Sequence, residues 1–285
     1  MSASPDRRVA WATMAIGGAA FVVIALWLVP WSPVPGGTPD PVAASAVYSP
    51  EQIARGEEYA RLARVWSWSS LTVSLVVACV LGFSRWGRVL VGRLPGRWWA
   101  RVVLAVVLVE LIGRLATLPL GVMARRHALA NGLSTQSWSG FAVDVAKNFA
   151  LTVVVSTLLL LVLMGCARRW ARAWPAVAGC VLGALVMLGS FVYPVLIEPL
   201  FNDFHSLPDG DLRTAVLAVA EREDVAVDDV LVADASRRTT TLNAYVSGFG
   251  GTRRVVLYDN LVDGVPPAEV LSVVAPEDVD LDRLR

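Results

Sequence analysis

The sequence predicts a mainly α-helical, polytopic membrane protein of about five spans, followed by a small α+β segment. Composition is the first reason. Of 285 residues, 55% are hydrophobic and only 17% are charged, with a mean hydropathy of +0.57, whereas a soluble domain carries roughly 25% charged residues. The second reason is five long apolar runs, each near the roughly 20 residues that a helix needs to cross a bilayer core. The third is a change in charge along the chain: residues 1–197 hold 17 basic and 7 acidic residues, net +10, and residues 198–285 hold 8 and 17, net −9.

The runs are Trp11 to Pro30, Val65 to Phe83, Val102 to Met123, Phe149 to Ala167 and Trp174 to Ile197. Arginines stand at most of their borders: Arg7 and Arg8, Arg64 and Arg85, Arg101 and Arg125, then Arg168, Arg169 and Arg172. The first run follows a short basic leader, as a cleaved signal does. It is read instead as a retained helix, because it exceeds the ~7–15-residue apolar core of a signal and closes on Pro30-Trp31-Ser32-Pro33 without a small-x-small cleavage site. The chain therefore divides into a membrane domain (1–197), an acidic α+β segment (198–275) and a charged tail (276–285), and its expected place is the cell membrane, as a multi-pass protein whose first partner is the lipid bilayer.

Several function classes fall away. The basic residues sit beside apolar runs, where topology and anionic headgroups explain them, so no nucleic acid is expected as a partner. Cys79, Cys166 and Cys180 all lie inside apolar runs and form no disulfide framework. Counting Arg and Lys in the short connecting segments gives ten against six in favour of an inside N-terminus, which with five spans puts the acidic segment outside.

Within the third run, Glu110 and Arg114 are four apart and share a helix face, so an ion pair is available to them. Charges inside a membrane face a bundle interior or a water-filled cavity. Two readings stay open here: a pair that merely makes both charges tolerable, or one that lines a polar chamber. The run ends at Leu118-Pro119-Leu120, where proline is expected to break the helix, and a polar loop from Arg126 to Ser137 follows. A lone His127 in such a loop is the pattern of a surface histidine.

Beyond the last run, Pro194 and Pro199 are expected to break helix continuity as the chain leaves the membrane. Leu212, Ala215, Val216, Val219 and Ala220 recur at helical spacing within Asp209 to Asp224. Val230 to Ala233 reads as a strand. Thr240 to Phe249 and Thr252 to Tyr258, joined by Gly250-Gly251, read as a hairpin. A final helix is expected from Pro266 or Pro267 through Ala275, with proline in its first turn.

These residues resemble a known family, the integral-membrane zinc metallopeptidases of the CAAX prenyl protease type I group. The matching pieces are Gly132-Leu133-Ser134-Thr135-Gln136-Ser137, Glu198-Pro199-Leu200-Phe201-Asn202, Asn243-Ala244-Tyr245 with Gly248-Phe249-Gly250, and Arg254-Val255-Val256-Leu257-Tyr258-Asp259. They occur in the family's order between about Leu118 and Ala275. The resemblance implies a truncated α+β peptidase-like segment, a peptide or protein substrate, and zinc as the cofactor of complete members. It places the substrate along the strand at Asn243, Ala244 and Tyr245, by edge pairing; the same three residues also suit a strand that only packs its hairpin.

The pattern departs at the zinc motif. Where the family has His-Glu-x-x-His, this chain reads Pro276-Glu277-Asp278-Val279-Asp280. Such a site needs two imidazoles at i and i+4, a glutamate between them as general base, and a third ligand. Proline offers no donor atom and disfavours helical continuation. Glu277 falls at the general-base position by resemblance, yet the chain's only histidines are His127 and His205. No metal ligands and no cofactor are therefore assigned to the chain as written, and the tail reads as the product of a shifted frame or truncated gene. The leading expectation is a membrane zinc metalloendopeptidase relative that is inactive as written, and the alternative is a non-catalytic membrane scaffold or regulatory binder. A small transporter has only Glu110 and Arg114 in its favour and lacks paired internal repeats.

Overall fold

The computed structural model describes residues 5–29, 31, 43–222, 226–248 and 253–274. Its helices are α1 (Pro5–Leu28), α2 (Ala44–Val47), α3 (Pro50–Phe83), α4 (Arg85–Gly92), α5 (Trp98–Ala130), α6 (Trp138–Arg169), α7 (Trp174–Val192), α8 (Glu198–Phe201), α9 (Asp211–Arg222), α10 (Asp259–Gly264) and α11 (Pro267–Val274). The strands are β1 (Phe204–Ser206), β2 (Asp229–Ala233), β3 (Ala244–Ser247) and β4 (Arg254–Tyr258). By packing, the chain forms two compact units: residues 1–117 with 153–184, and residues 118–152 with 185–285.

All five expected spans are present, at Trp11–Leu28, Pro50–Phe83, Trp98–Ala130, Trp138–Arg169 and Trp174–Phe201. The chain is a multi-pass membrane protein. The helices outrun the apolar windows, because hydrophobicity marks only the part in hydrocarbon while backbone bonding continues into water. In the first unit, α3 starts fifteen residues before Val65, at a capping box: Ser49 Oγ accepts from Gln52 N at 3.3 Å and Ser49 N donates to Gln52 Oε1 at 2.9 Å, with Pro50 in the first turn. Ser84 then adopts an extended conformation, its Oγ accepts from Trp86 N at 3.1 Å, and α4 begins.

Two expected breaks are absent. Helix α5 runs through Pro119 to Ala130; a proline removes one backbone bond, a loss that a long spanning helix tolerates. Helix α7 likewise continues past Pro194 through a wide helical turn at Tyr193–Ile197 into α8, and ends at Asn202 rather than at the prolines. That wide turn frees backbone groups, and the site described below uses the Pro194 carbonyl.

In the second unit the sheet has the order β1-β2-β4-β3. β1 is antiparallel to β2, β2 is parallel to β4, and β4 is antiparallel to β3. Val230 and Val232 of β2 and Val255 and Leu257 of β4 alternate along their strands and meet Val216 and Val219 of α9, Leu261 of α10, and Val270 and Leu271 of α11 in one core. The expected strand, amphipathic helix and final helix all appear, each within two residues of expectation over the described positions. The expected hairpin is the β3/β4 pair, but β3 begins at Ala244 rather than Thr240. Residues 239–241 are held elsewhere, as shown next.

Candidate functional site

The site is built around β3, an edge strand. Tyr258 N donates to Asn243 O at 3.0 Å, and the register pairs Ala244 with Leu257, Tyr245 with Val256 and Val246 with Val255. In an antiparallel ladder hydrogen-bonded and non-hydrogen-bonded pairs alternate. Asn243 and Tyr245 therefore spend their backbone groups on β4, and Ala244 and Val246 direct theirs to the open edge. Val246 is exposed and Gly248 closes the strand at φ 98°, a left-handed conformation that suits glycine.

Glu198 anchors the end of this strand from the last span. Its side chain is buried, Oε1 accepts from Ser247 Oγ at 2.6 Å, and Oε2 pairs with Arg254 Nη2 at 3.0 Å. Arg254 also donates to the Pro194 carbonyl of the wide turn, and its guanidinium lies 5.3 Å from the Phe204 ring centre. Tyr245 stacks edge-on against Tyr258, with centroids 6.3 Å apart. Burial first, then the nearby Glu198 carboxylate, pushes the Tyr245 phenol up to about 12, so it remains a hydroxyl donor at neutral pH. The unfolded chain gives up this proton near pH 10. Between pH 10 and about 12 the folded state thus loses stability as pH rises. The phenolate absorbance missing from a Tyr245→Phe variant should appear only near pH 12, and its appearance near pH 10 would contradict this placement.

The segment before β3 is tied to the loop between α5 and α6. Helix α5 ends in a Schellman turn: Gly132 at φ 71°, Gly132 N to Leu129 O at 3.1 Å, and Leu133 N to Ala128 O at 3.0 Å. Ser134 and Thr239 then pair as a short antiparallel bridge. Around the bridge, Thr135 Oγ1 donates to Ser236 O at 2.6 Å, Thr239 Oγ1 to Leu133 O at 3.1 Å and Thr240 Oγ1 to Gly132 O at 2.9 Å. These bonds take residues 239–240 out of the sheet. Beneath them Asp144 accepts from Gln136 Nε2 at 2.6 Å and pairs with Arg238 Nε at 3.2 Å, while buried Arg125 donates to the Gln136 carbonyl with its guanidinium 4.1 Å from the Trp138 ring centre.

Ala244 and Tyr245 thus sit on the edge strand, with Asn243 immediately before it. Glu110 accepts from Ser156 Oγ of α6 at 3.3 Å, and no ion pair joins it to Arg114 among the described residues. The helical spacing allowed such a pair, but the carboxylate binds the neighbouring helix instead. Glu277 lies outside the described residues. Missing from the sequence-level site are Glu198, Ser247 and Arg254. The one signal for them was a glutamate at the end of an otherwise uncharged run, with an arginine opening an otherwise uncharged strand. Among the described residues no three His, Cys, Asp or Glu side chains are grouped to hold a metal. His127 ends α5 and His205 lies exposed in β1. Among the described residues these donors do not assemble a zinc site.

Five spans followed by a mixed α+β sheet with an open edge strand define a multi-span membrane protein carrying a small α+β unit. Residues 38–203 match the family model described as CAAX prenyl protease N-terminal, five membrane helices, and residues 206–277 match that of peptidase family M48. The chain belongs to this family. It is 28% identical over 251 residues to the uncharacterized metalloprotease YhfN of Bacillus subtilis, covering 86% of this chain and 57% of that protein. It is 34% identical over 162 residues to the CAAX prenyl protease 1 homolog of Arabidopsis thaliana, covering 55% of this chain and 36% of that one. The crystal structure of S. mikatae Ste24p shares the fold, with a TM-score of 0.68 at 20% identity, over 97% of this chain and 67% of that one. This chain thus spans between about a third and just over half of the length of these two relatives.

Proposed function

We propose that the chain is a membrane-embedded protein of the zinc metalloendopeptidase family that takes an extended peptide along β3, and that the 285-residue polypeptide does not hydrolyse it. The observation that carries the docking half is the ladder phase: two residues of β3, Ala244 and Val246, turn N–H and C=O groups to an unpaired edge. Main-chain bonds to such an edge supply affinity, and alternate side-chain positions supply choice. The relatives named CAAX prenyl protease support a C-terminal CAAX segment as the peptide. Glu277 holds the general-base position by resemblance, but Pro276 and Asp280 stand where the two imidazoles belong. The same donor shortage favours a second reading, in which the chain binds such peptides as a non-catalytic scaffold or regulator.

Val246→Pro tests the docking half. Proline removes the outward N–H of a residue that gives no bond to β4, so the ladder survives while the edge loses a donor. Binding of a fluorescent farnesylated CAAX peptide to the detergent-solubilised chain should fall at least about tenfold, the equivalent of roughly 1.4 kcal/mol for one lost edge bond and its disturbed neighbour. Unchanged affinity in a variant with wild-type resistance to proteolysis would remove β3 as the docking edge.

A further inference from the structure

We propose that the groove between α4 and the first turns of α5 is a binding site for one anionic phospholipid. The sequence from Ser84 to Arg101 contains five arginines, at 85, 88, 93, 97 and 101, and no acidic residue. Among the described residues none of the five side chains makes an ion pair. Helix α4 follows directly on the end of a membrane span, and Trp86, Trp98 and Trp99 in the same stretch are exposed; tryptophan in such a position marks the headgroup level of the bilayer.

Within this basic stretch only Arg85 and Arg93 border the groove, which has a volume of about 520 Å³ and is otherwise lined by Trp86, Val89, Leu90, Leu94 and Leu108 of α5. Leu108 lies ten residues beyond Trp98, about 15 Å along α5 at 1.5 Å per residue and inside its apolar stretch. The groove therefore combines two guanidinium groups with an apolar lining that includes a residue of a membrane span. A phosphodiester with an acyl chain matches both features, and a soluble anion matches only the first.

The groove is built by the backbone rather than by loose side chains. Gly87 is the buried residue of α4, and a Cβ there would lie 1.7 Å from the carbonyl oxygen of Leu81. The missing side chain lets α4 lie hard against the last turn of α3. That contact, with the Ser84 cap, holds α4 against α3, and Trp86 and Val89, at i and i+3, line the groove.

The test is lipid retention by the full chain, purified in detergent with equal phosphatidylglycerol and phosphatidylcholine and read by native mass spectrometry. One phosphatidylglycerol should remain bound in preference to phosphatidylcholine. Arg85→Gln with Arg93→Gln should weaken its retention roughly 25-fold, since an arginine near an anionic surface is worth about fivefold. Arg88→Gln with Arg97→Gln, equal in charge but outside the groove, should leave it unchanged. In the unaltered protein, phosphatidylglycerol with a diazirine near the end of one acyl chain should label the peptide containing Leu108. Equal loss in both double variants would reduce the effect to general surface charge and overturn the proposal. So would equal retention of phosphatidylcholine, or labelling spread over all spans. None of these results depends on β3, so a failure here leaves peptide docking standing.

Discussion

Replacement of Glu198 by alanine should destabilise the C-terminal α+β segment by about 3 kcal/mol, the low end of the ~3–5 kcal/mol lost when one partner of a buried ion pair is removed. The low end applies because the Arg254 side chain keeps 20% of its exposure while that of Glu198 keeps 8%. The loss is not only Coulombic. Without Glu198, Ser247 Oγ loses its acceptor and, among the described residues, Arg254 keeps the Pro194 carbonyl and the Phe204 ring. Glu198→Gln retains an oxygen for Ser247 and removes the charge, so it should cost roughly half as much. The readout is limited proteolysis in detergent of residues 203–285 against the spans. The double variant Glu198→Ala with Arg254→Ala should be less destabilised than the sum of the single variants, because the second change removes the charge that the first left unpaired. Simple additivity would mean that the pair is not coupled.

The consequence for function follows from where the pair sits. Ser247 ends β3, the strand with the open edge, and Glu198 begins α8, the last turn of the fifth span. A peptide that pairs with β3 pulls on a strand fixed at one end by Asn243 on β4 and at the other by Glu198. Glu198→Ala should therefore weaken peptide binding without touching any group that the peptide contacts, and Glu198→Gln, which keeps the Ser247 bond, should restore most of it.

Much of this architecture was legible in the sequence, for reasons that particular residues show. The spans were legible because hydrocarbon demands unbroken apolar runs, and α9 because Val216, Val219 and Ala220 repeat at helical spacing and are all buried. What escaped was set by distant partners. The parallel pairing of β2 with β4 has no local signal, because Val230 and Val255 become neighbours only through the intervening chain. β1 is three residues long, too short for a pattern. Pro119 and Pro194 were read by their local chemistry as breaks, yet the tertiary setting keeps both in helix. For the site, resemblance pointed to Asn243, Ala244 and Tyr245, but not to the ladder phase that turns Ala244 and Val246 outward. Nor did it pair Glu198 with Arg254, 56 residues apart.

The purified 285-residue chain should hold no stoichiometric zinc and cleave no peptide. Metal-assisted hydrolysis requires an ion that lowers the pKa of water from 15.7 to about 7, and holding that ion takes neutral imidazoles or carboxylates converging within about 2.0–2.2 Å. Pro276 supplies no donor, Asp280 supplies one oxygen ligand, and His127 and His205 belong to the end of α5 and to β1. Pro276→His combined with Asp280→His offers two imidazoles at the family spacing, which should raise zinc uptake. Metal content by mass spectrometry and cleavage of a farnesylated CAAX peptide are the two measurements. Chelator-sensitive cleavage by the unaltered chain, abolished by Glu277→Ala, would reverse the assignment and make Glu277 the catalytic base of a site completed by donors other than His127 and His205.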